Sequence, residues 1–314
     1  MKKRFFYLTL FLMVLGIQTK QFAQVQNITI TSNANPDQSV DFYYEKKQPG
    51  SYYLSLEFSN ISNCNIQNYK TIVSNYSGRL LKLTPIDKNQ GINYSFQYYY
   101  IIGKPNPKID TEFQYILPFK NGKKIRINEA TNLGEIYFGS EKPKNWKNYI
   151  VNSESPDTLY SMRKGVVVQL VNQYDASSSS ELHYTSNRNS ITIEHADGTF
   201  AIYEGLKKNS ILVKLGQTVY PQTQLGIMEV FNTNNYRASF SIYFLYDKDF
   251  KFKQNQTLKN YKSEYEYITP NFVTQEGILK VESGKEYTSI YNEAALFQEL
   301  TNSEKKKYLK NTLF

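Results

Sequence analysis

The sequence predicts a mostly β protein of two antiparallel domains, an N-terminal β-sandwich and a second β domain, closed by short C-terminal helices. Three observations lead there. Tyr and Phe are abundant, 28 and 19 among 314 residues, and aromatic side chains suit a pleated, half-buried surface. Short runs alternating at period two recur along the chain. Clusters of Asn, Asp, Gly and Pro punctuate those runs at short intervals. A hydrophobic fraction of 40% with 21% charge supports a real core and excludes a disordered or collagen-like chain. The length suggests two domains.

The elements follow in order. Lys2, Lys3 and Arg4 precede an apolar run from Phe5 to Gly16. That run is short for a bilayer span and reads as a secretory signal, residues 1–23, with cleavage before Gln24. The expected location is therefore periplasmic or extracellular; an uncleaved anchor is the alternative. Cleavage removes four basic residues and no acidic one, taking the formal charge from +9 to +5. No Cys follows the apolar run, which excludes a lipid-anchored Cys, and no second long apolar segment predicts a transmembrane span. Residues 24–110 read as the sandwich, with strands at Ile28–Thr31, Val40–Tyr44, Tyr52–Phe58 and Tyr94–Ile102. Gly103-Lys-Pro-Asn-Pro107 reads as a stiff connection. Residues 111–250 carry further strands around Arg163–Val171, Ser190–His195, Thr199–Tyr203 and Ala238–Tyr246. Asp175–Ser180 forms a loop, and Asp197-Gly198 supplies a hairpin turn. Residues 251–314 read as a β extension and helical tail. Leu296 and Leu300 share one helix face there, and Ser303 with Glu304 starts a last helix.

Composition excludes several functions. A lone Cys64 forbids an intramolecular disulfide or a multi-Cys zinc knuckle. It reads as a small buried hydrophobe. Only two His, His183 and His195, limit metal chemistry, and each reads as an ordinary surface or edge-strand residue. The Lys residues are dispersed, with Lys305–Lys307 a solvated helix face, so nucleic acid is not the expected partner. No glycine-rich loop links a strand to a helix for phosphate binding. Glu141, Glu194 and Glu204 could form an acid–base carboxylate pair, and Ser239 or Ser241 a dyad with His195, but no spacing requires either. The Tyr-rich stretches at 42–44, 52–53, 98–100 and 261–267 read as amphipathic strand faces rather than stacking platforms.

One segment is more specific. It runs Asn189-Ser-Ile-Thr-Ile-Glu-His-Ala-Asp-Gly-Thr-Phe-Ala-Ile-Tyr-Glu-Gly-Leu206, then Val213-Lys-Leu-Gly-Gln-Thr-Val-Tyr-Pro-Gln-Thr-Gln-Leu-Gly226. This resembles the lysostaphin/LytM-type zinc metallopeptidases, whose fold is the duplicated hybrid motif. Tyr115–Phe119, Thr158–Val168 and the Gly277–Tyr287 tail extend the resemblance more weakly. The resemblance implies a LytM-like fold for residues 111–250. It also implies a site of His and Asp around zinc, an ion that needs three convergent ligands and an open position. This chain departs at each position. The first ligand falls near Ser140 and the ligand Asp near Tyr149. A catalytic His becomes Gly205, within Tyr203-Glu204-Gly205-Leu206. The final pair becomes Ser239 and Ser241, and a hydroxyl is a poor zinc ligand. The expectation is a degenerate member with no catalytic residue and no cofactor. Its candidate ligand groove is formed by Tyr203, Gly205, Ser239 and Ser241. Degenerate members imply a binding or regulatory module at the cell envelope, with a peptidoglycan peptide or an envelope protein as partner. Two alternatives stay open: an active zinc endopeptidase cleaving peptidoglycan cross-links, and a structural or adhesion protein of the cell surface.

Overall fold

The computed structural model describes residues 27–175, 187–232, 235–246 and 263–310. The signal segment, His183, Tyr261 and nearly all of the serine loop lie outside the described residues. The first unit holds β1 (Ile28–Ala34), β2 (Val40–Lys46), β3 (Tyr52–Ser62), β4 (Tyr69–Val73), β5 (Ser77–Leu83) and β6 (Asn93–Ile102). They form two antiparallel sheets, ordered β1-β2-β5 and β4-β3-β6, around one core. Alternation fixes the faces. In β2, Val40, Phe42 and Tyr44 point inward while Asp41, Tyr43 and Glu45 point outward. Phe42 meets Phe58 and Phe96 edge-on, with ring centroids 5.4 and 5.2 Å away. Cys64 packs half-buried against the same core.

The inward row of β2 ends on Lys46, an ammonium only 3% exposed. It donates to the carbonyls of Gly50, Val73 and Ser74, and lies over the Tyr52 ring. Three carbonyls thus replace the water that burial removes.

The second unit opens with β7 (Gln114–Ile116), β8 (Lys124–Glu129), α1 (Leu133–Phe138), β9 (Tyr149–Ser153) and β10 (Thr158–Tyr160). It continues through β11 (Gly165–Val171), β12 (Ser190–Glu194), β13 (Phe200–Glu204), β14 (Thr218–Val219), β15 (Gln224–Ile227), β16 (Glu229–Asn232) and β17 (Asn235–Leu245). It ends with β18 (Tyr265–Ile268), β19 (Asn271–Thr274), β20 (Gly277–Leu279), β21 (Glu286–Thr288), α2 (Glu293–Phe297) and α3 (Asn302–Leu309). One large sheet runs β14-β11-β12-β13-β17-β9-β8-β21, with β16 and β18 also pairing with the long β17. Its pairings are antiparallel, whereas β7 and β19 pair in parallel in a smaller sheet. One face of the large sheet carries the main core, including Tyr149, Ile191, Tyr203 and Phe240. No helix among the described residues is long and apolar enough to cross a membrane.

The tail corrects one expectation. The last helix is capped by Thr301, not by Ser303. The Thr301 hydroxyl accepts the Glu304 amide, and the Glu304 carboxylate accepts the Thr301 amide. This reciprocal box satisfies two orphan donors, where Ser303 with Glu304 next to it cannot reach back three residues.

Candidate functional site

The expected groove is not one surface. In the β13–β17 ladder Glu204 opposes Ser239, Tyr203 opposes Phe240, and Ile202 opposes Ser241. Period-two alternation therefore puts Glu204, Ser239 and Ser241 on one face and Tyr203 on the other. Tyr203 is fully buried in the core, where its hydroxyl accepts the Met162 amide at 2.9 Å. Tyr149 opposes Phe240 and stacks on it with centroids 5.3 Å apart, so it too faces the core. Ser239 and Ser241 do share a face, yet both are buried, and the Ser239 hydroxyl donates to Glu204 Oε2 at 3.2 Å. Ser140 stands beyond α1, its amide donating to the Gly134 carbonyl at 3.1 Å. Among the described residues no three His, Cys, Asp or Glu side chains gather closely enough to hold a metal ion.

Gly205 carries the tightest constraint. Its φ is +81°, and a Cβ built there would lie 2.4 Å from the Arg237 carbonyl oxygen and 3.2 Å from Ala238 Cα. Only glycine tolerates both the left-handed backbone and the approach of β17. The backbone of Gly205 is itself engaged, donating to the Asn189 carbonyl and accepting from the Glu229 amide.

The other constellations separate as well. Glu194 and Glu204 stand at opposite ends of the β12–β13 hairpin, about 13 Å apart at ~3.3 Å per residue. Ser241 and His195 are apart as well: Ser241 lies on β17 opposite Ile202, two strands across from β12, and His195 follows the end of β12. His195 corrects the expectation of a surface residue, being only 2% exposed. Its Nδ1 lies 2.8 Å from the Lys164 carbonyl, an acceptor, so Nδ1 carries the proton and Nε2 the lone pair. Burial first, and then the Arg163 charge, hold its pKa far below the usual imidazole range, and the ring is neutral. The hairpin turn beside it closes with the Gly198 amide on the His195 carbonyl, and of the Asp-Gly pair only Gly198 takes a positive φ.

His195 instead helps line a cleft of about 600 Å³ between the two units. Tyr76 and Ser74 come from the sandwich; Lys164, Glu194, His195 and Tyr220 come from the large sheet. Lys104 enters from the connecting segment and Glu304 from the tail. Hydrogen bonds tie the two units together: the Tyr265 hydroxyl donates to the Ile102 carbonyl at 2.8 Å, and the Ser51 amide donates to Glu194 Oε2 at 2.7 Å. Lys46 sits behind that carboxylate; burial lowers its pKa to about 8, against the opposing pull of Glu194. The cleft therefore offers both signs of charge and two aromatic rings.

No family model and no curated protein matches this sequence. Among solved structures the chain is similar to pseudoalterin, an M23 metalloprotease from the deep sea, at 16% identity and a TM-score of 0.30, over 57% of this chain and 99% of that one. It is similar to a putative peptidase M23 of Pseudomonas aeruginosa at 9% identity and a TM-score of 0.28, over 68% of this chain and 87% of that one. It is also similar to Csd3 of Helicobacter pylori at 9% identity and a TM-score of 0.29, over 92% of this chain and 78% of that one.

The residues that hold the cleft's tail-side wall escaped sequence reasoning. Arg163, 3% exposed, makes two parallel bonds to the Glu299 carboxylate at 2.8 and 2.6 Å. It also donates to Asp197 at 2.8 Å and to the Tyr115 hydroxyl at 3.0 Å, with the Phe113 ring 3.8 Å from its guanidinium. Burial opposes its charge, but Glu299, Tyr115 and Asp197 outweigh that and raise its pKa. The neighbouring Lys164 pairs with Glu304 at 2.8 Å, and Tyr220 donates to the same carboxylate at 3.1 Å. Those contacts hold Glu304 down to about 2 although burial pushes the other way. The one signal in the sequence is a pair of cations, Arg163-Lys164, at the mouth of an otherwise apolar strand.

Proposed function

We propose that this protein is an exported, non-catalytic relative of the LytM-type peptidases that binds at the cell envelope. The observation that carries this is Gly205. The resemblance puts a catalytic imidazole there, and the Arg237 carbonyl 2.4 Å from its would-be Cβ leaves no room for one. Ser239 and Ser241 add only buried hydroxyls, and Tyr149 faces the opposite side of the sheet. These residues do not fit zinc, which takes imidazole, thiolate or carboxylate ligands converging on one point. Binding needs none of that. The inter-unit cleft offers Lys104 to a carboxylate and Glu194 to an ammonium, while Lys164 is already paired with Glu304. Its volume lies within the ~300–1,000 Å³ usual for ligand sites. A peptide of peptidoglycan bears both charges and suits such a lining.

The test is sedimentation of the purified mature protein with insoluble peptidoglycan, beside an assay for released soluble fragments. The expected result is co-sedimentation that chelator does not change, weakened at least fivefold by Lys104→Glu, with no fragments released. Release of fragments that stops on adding chelator, or stoichiometric zinc in the purified protein, would overturn the reading.

A further inference from the structure

A second cleft, of about 560 Å³, lies where the tail meets the β14–β15 segment, and its lining differs in kind. Tyr160, Tyr291 and Tyr308 bring three half-buried rings to it; Gln217, Gln222 and Gln224 bring three primary amides. Lys120 is its one charged side chain. The groups are held in place. The Tyr308 hydroxyl donates to the Pro221 carbonyl at 3.1 Å, and its ring meets Phe297 edge-on at 5.5 Å. Gln217 accepts the Lys214 amide through Oε1 at 2.9 Å, which orients its NH₂. Gln222 donates to the Phe119 carbonyl at 3.4 Å, which orients its oxygen.

Gln222 adds an independent observation. The turn Tyr220–Thr223 is closed by the Thr223 amide on the Tyr220 carbonyl at 3.0 Å, with Pro221 second and Gln222 third at φ +68°. That third position is where glycine or asparagine relieves strain. A long amide side chain is kept there against the backbone's preference, on the rim of a cleft.

We propose that this cleft binds a neutral oligosaccharide. Sugar rings present apolar C–H faces that pack on Tyr rings, and the phenol at each ring's edge remains polar. Their neighbouring hydroxyls both donate and accept, as a primary amide does. A charged peptide finds no carboxylate in this lining and a single cation. The site is separate from the inter-unit cleft and does not depend on what that cleft binds.

The test titrates the full mature chain with chitotetraose, cellotetraose and, as the peptide control, tetra-alanine, by calorimetry. Saturable binding of at least one oligosaccharide is expected, with tetra-alanine at least tenfold weaker. Gln222→Gly should keep or raise the melting temperature, because it suits the turn, while weakening binding at least fivefold. Gln224→Ala, at an exposed position, should weaken it similarly, and Lys104→Glu should leave it unchanged. The proposal fails if neither oligosaccharide saturates. It fails equally if tetra-alanine binds as well, or if binding survives both glutamine substitutions intact.

Discussion

Arg163 joins three parts of the chain through one guanidinium; Tyr115 is buried with it, and its carboxylate partners Asp197 and Glu299 are half-buried. Removing it strands the Glu299 and Asp197 carboxylates, so Arg163→Met should destabilise the fold by about 3–5 kcal/mol. Urea denaturation would show this as a lower midpoint, and an unchanged midpoint would mean that the network is solvated. His195 makes a second prediction at this scale. Its folded pKa lies below the unfolded value of 6.5. The unfolded chain therefore binds the extra proton first, and stability must fall as pH drops below 6.5. Melting temperatures of the native chain and of His195→Gln, compared from pH 7 to pH 5, should differ in slope, with the variant flatter. Neither residue's role was legible in the sequence. Glu299 lies 136 residues from Arg163, and burial of His195 depends on strand pairing that composition does not encode.

At the scale of elements, alternation made much of the fold readable. The inward Val40, Phe42 and Tyr44 of β2 and the Asp197-Gly198 hairpin follow from period two and turn chemistry alone. Faces are harder than strands. Tyr203 points into the core, whereas Gly205, two residues on and just past the end of β13, is pressed against β17. A groove drawn through Tyr203 and Ser239 could not survive the alternation that predicts the strand, because Ser239 opposes Glu204 and not Tyr203. The tail helix shows the same limit over a shorter range: Ser303 and Thr301 are both plausible caps, and only the reciprocal bonds with Glu304 decide between them. Thr301→Ala should cost about 1 kcal/mol. It should speed amide exchange across residues 302–309 while leaving the large sheet protected. Exchange unchanged in α3 would mean that the Lys164–Glu304 pair holds the helix without its cap.

At the scale of the whole molecule, buried polar groups stand beside apolar side chains such as Val168, Phe200 and Leu245 where the two units meet. The sandwich and the large sheet have separate clusters, and Lys46 with Glu194 stands where they touch. Lys46 has a pKa of about 8 when folded against 10.5 when unfolded. Between those values the unfolded chain binds more protons, so stability should rise as pH climbs from 8 to 10.5. Lys46→Met, which fills the same space without charge, should remove that component from the alkaline melting curve. A slope identical in both proteins would show that the ammonium keeps its water.

Gly205 has a consequence for the history and the engineering of such a chain. The Arg237 carbonyl of β17 occupies the volume that any side chain at 205 would fill. Adding one without first displacing that backbone should destabilise the fold, so on the proposed reading the position resists a return to an imidazole. A selection for hydrolysis should recover changes in β17 before any change at Gly205, and Gly205→His, Ser239→His and Ser241→His together should give unfolded chain rather than zinc uptake.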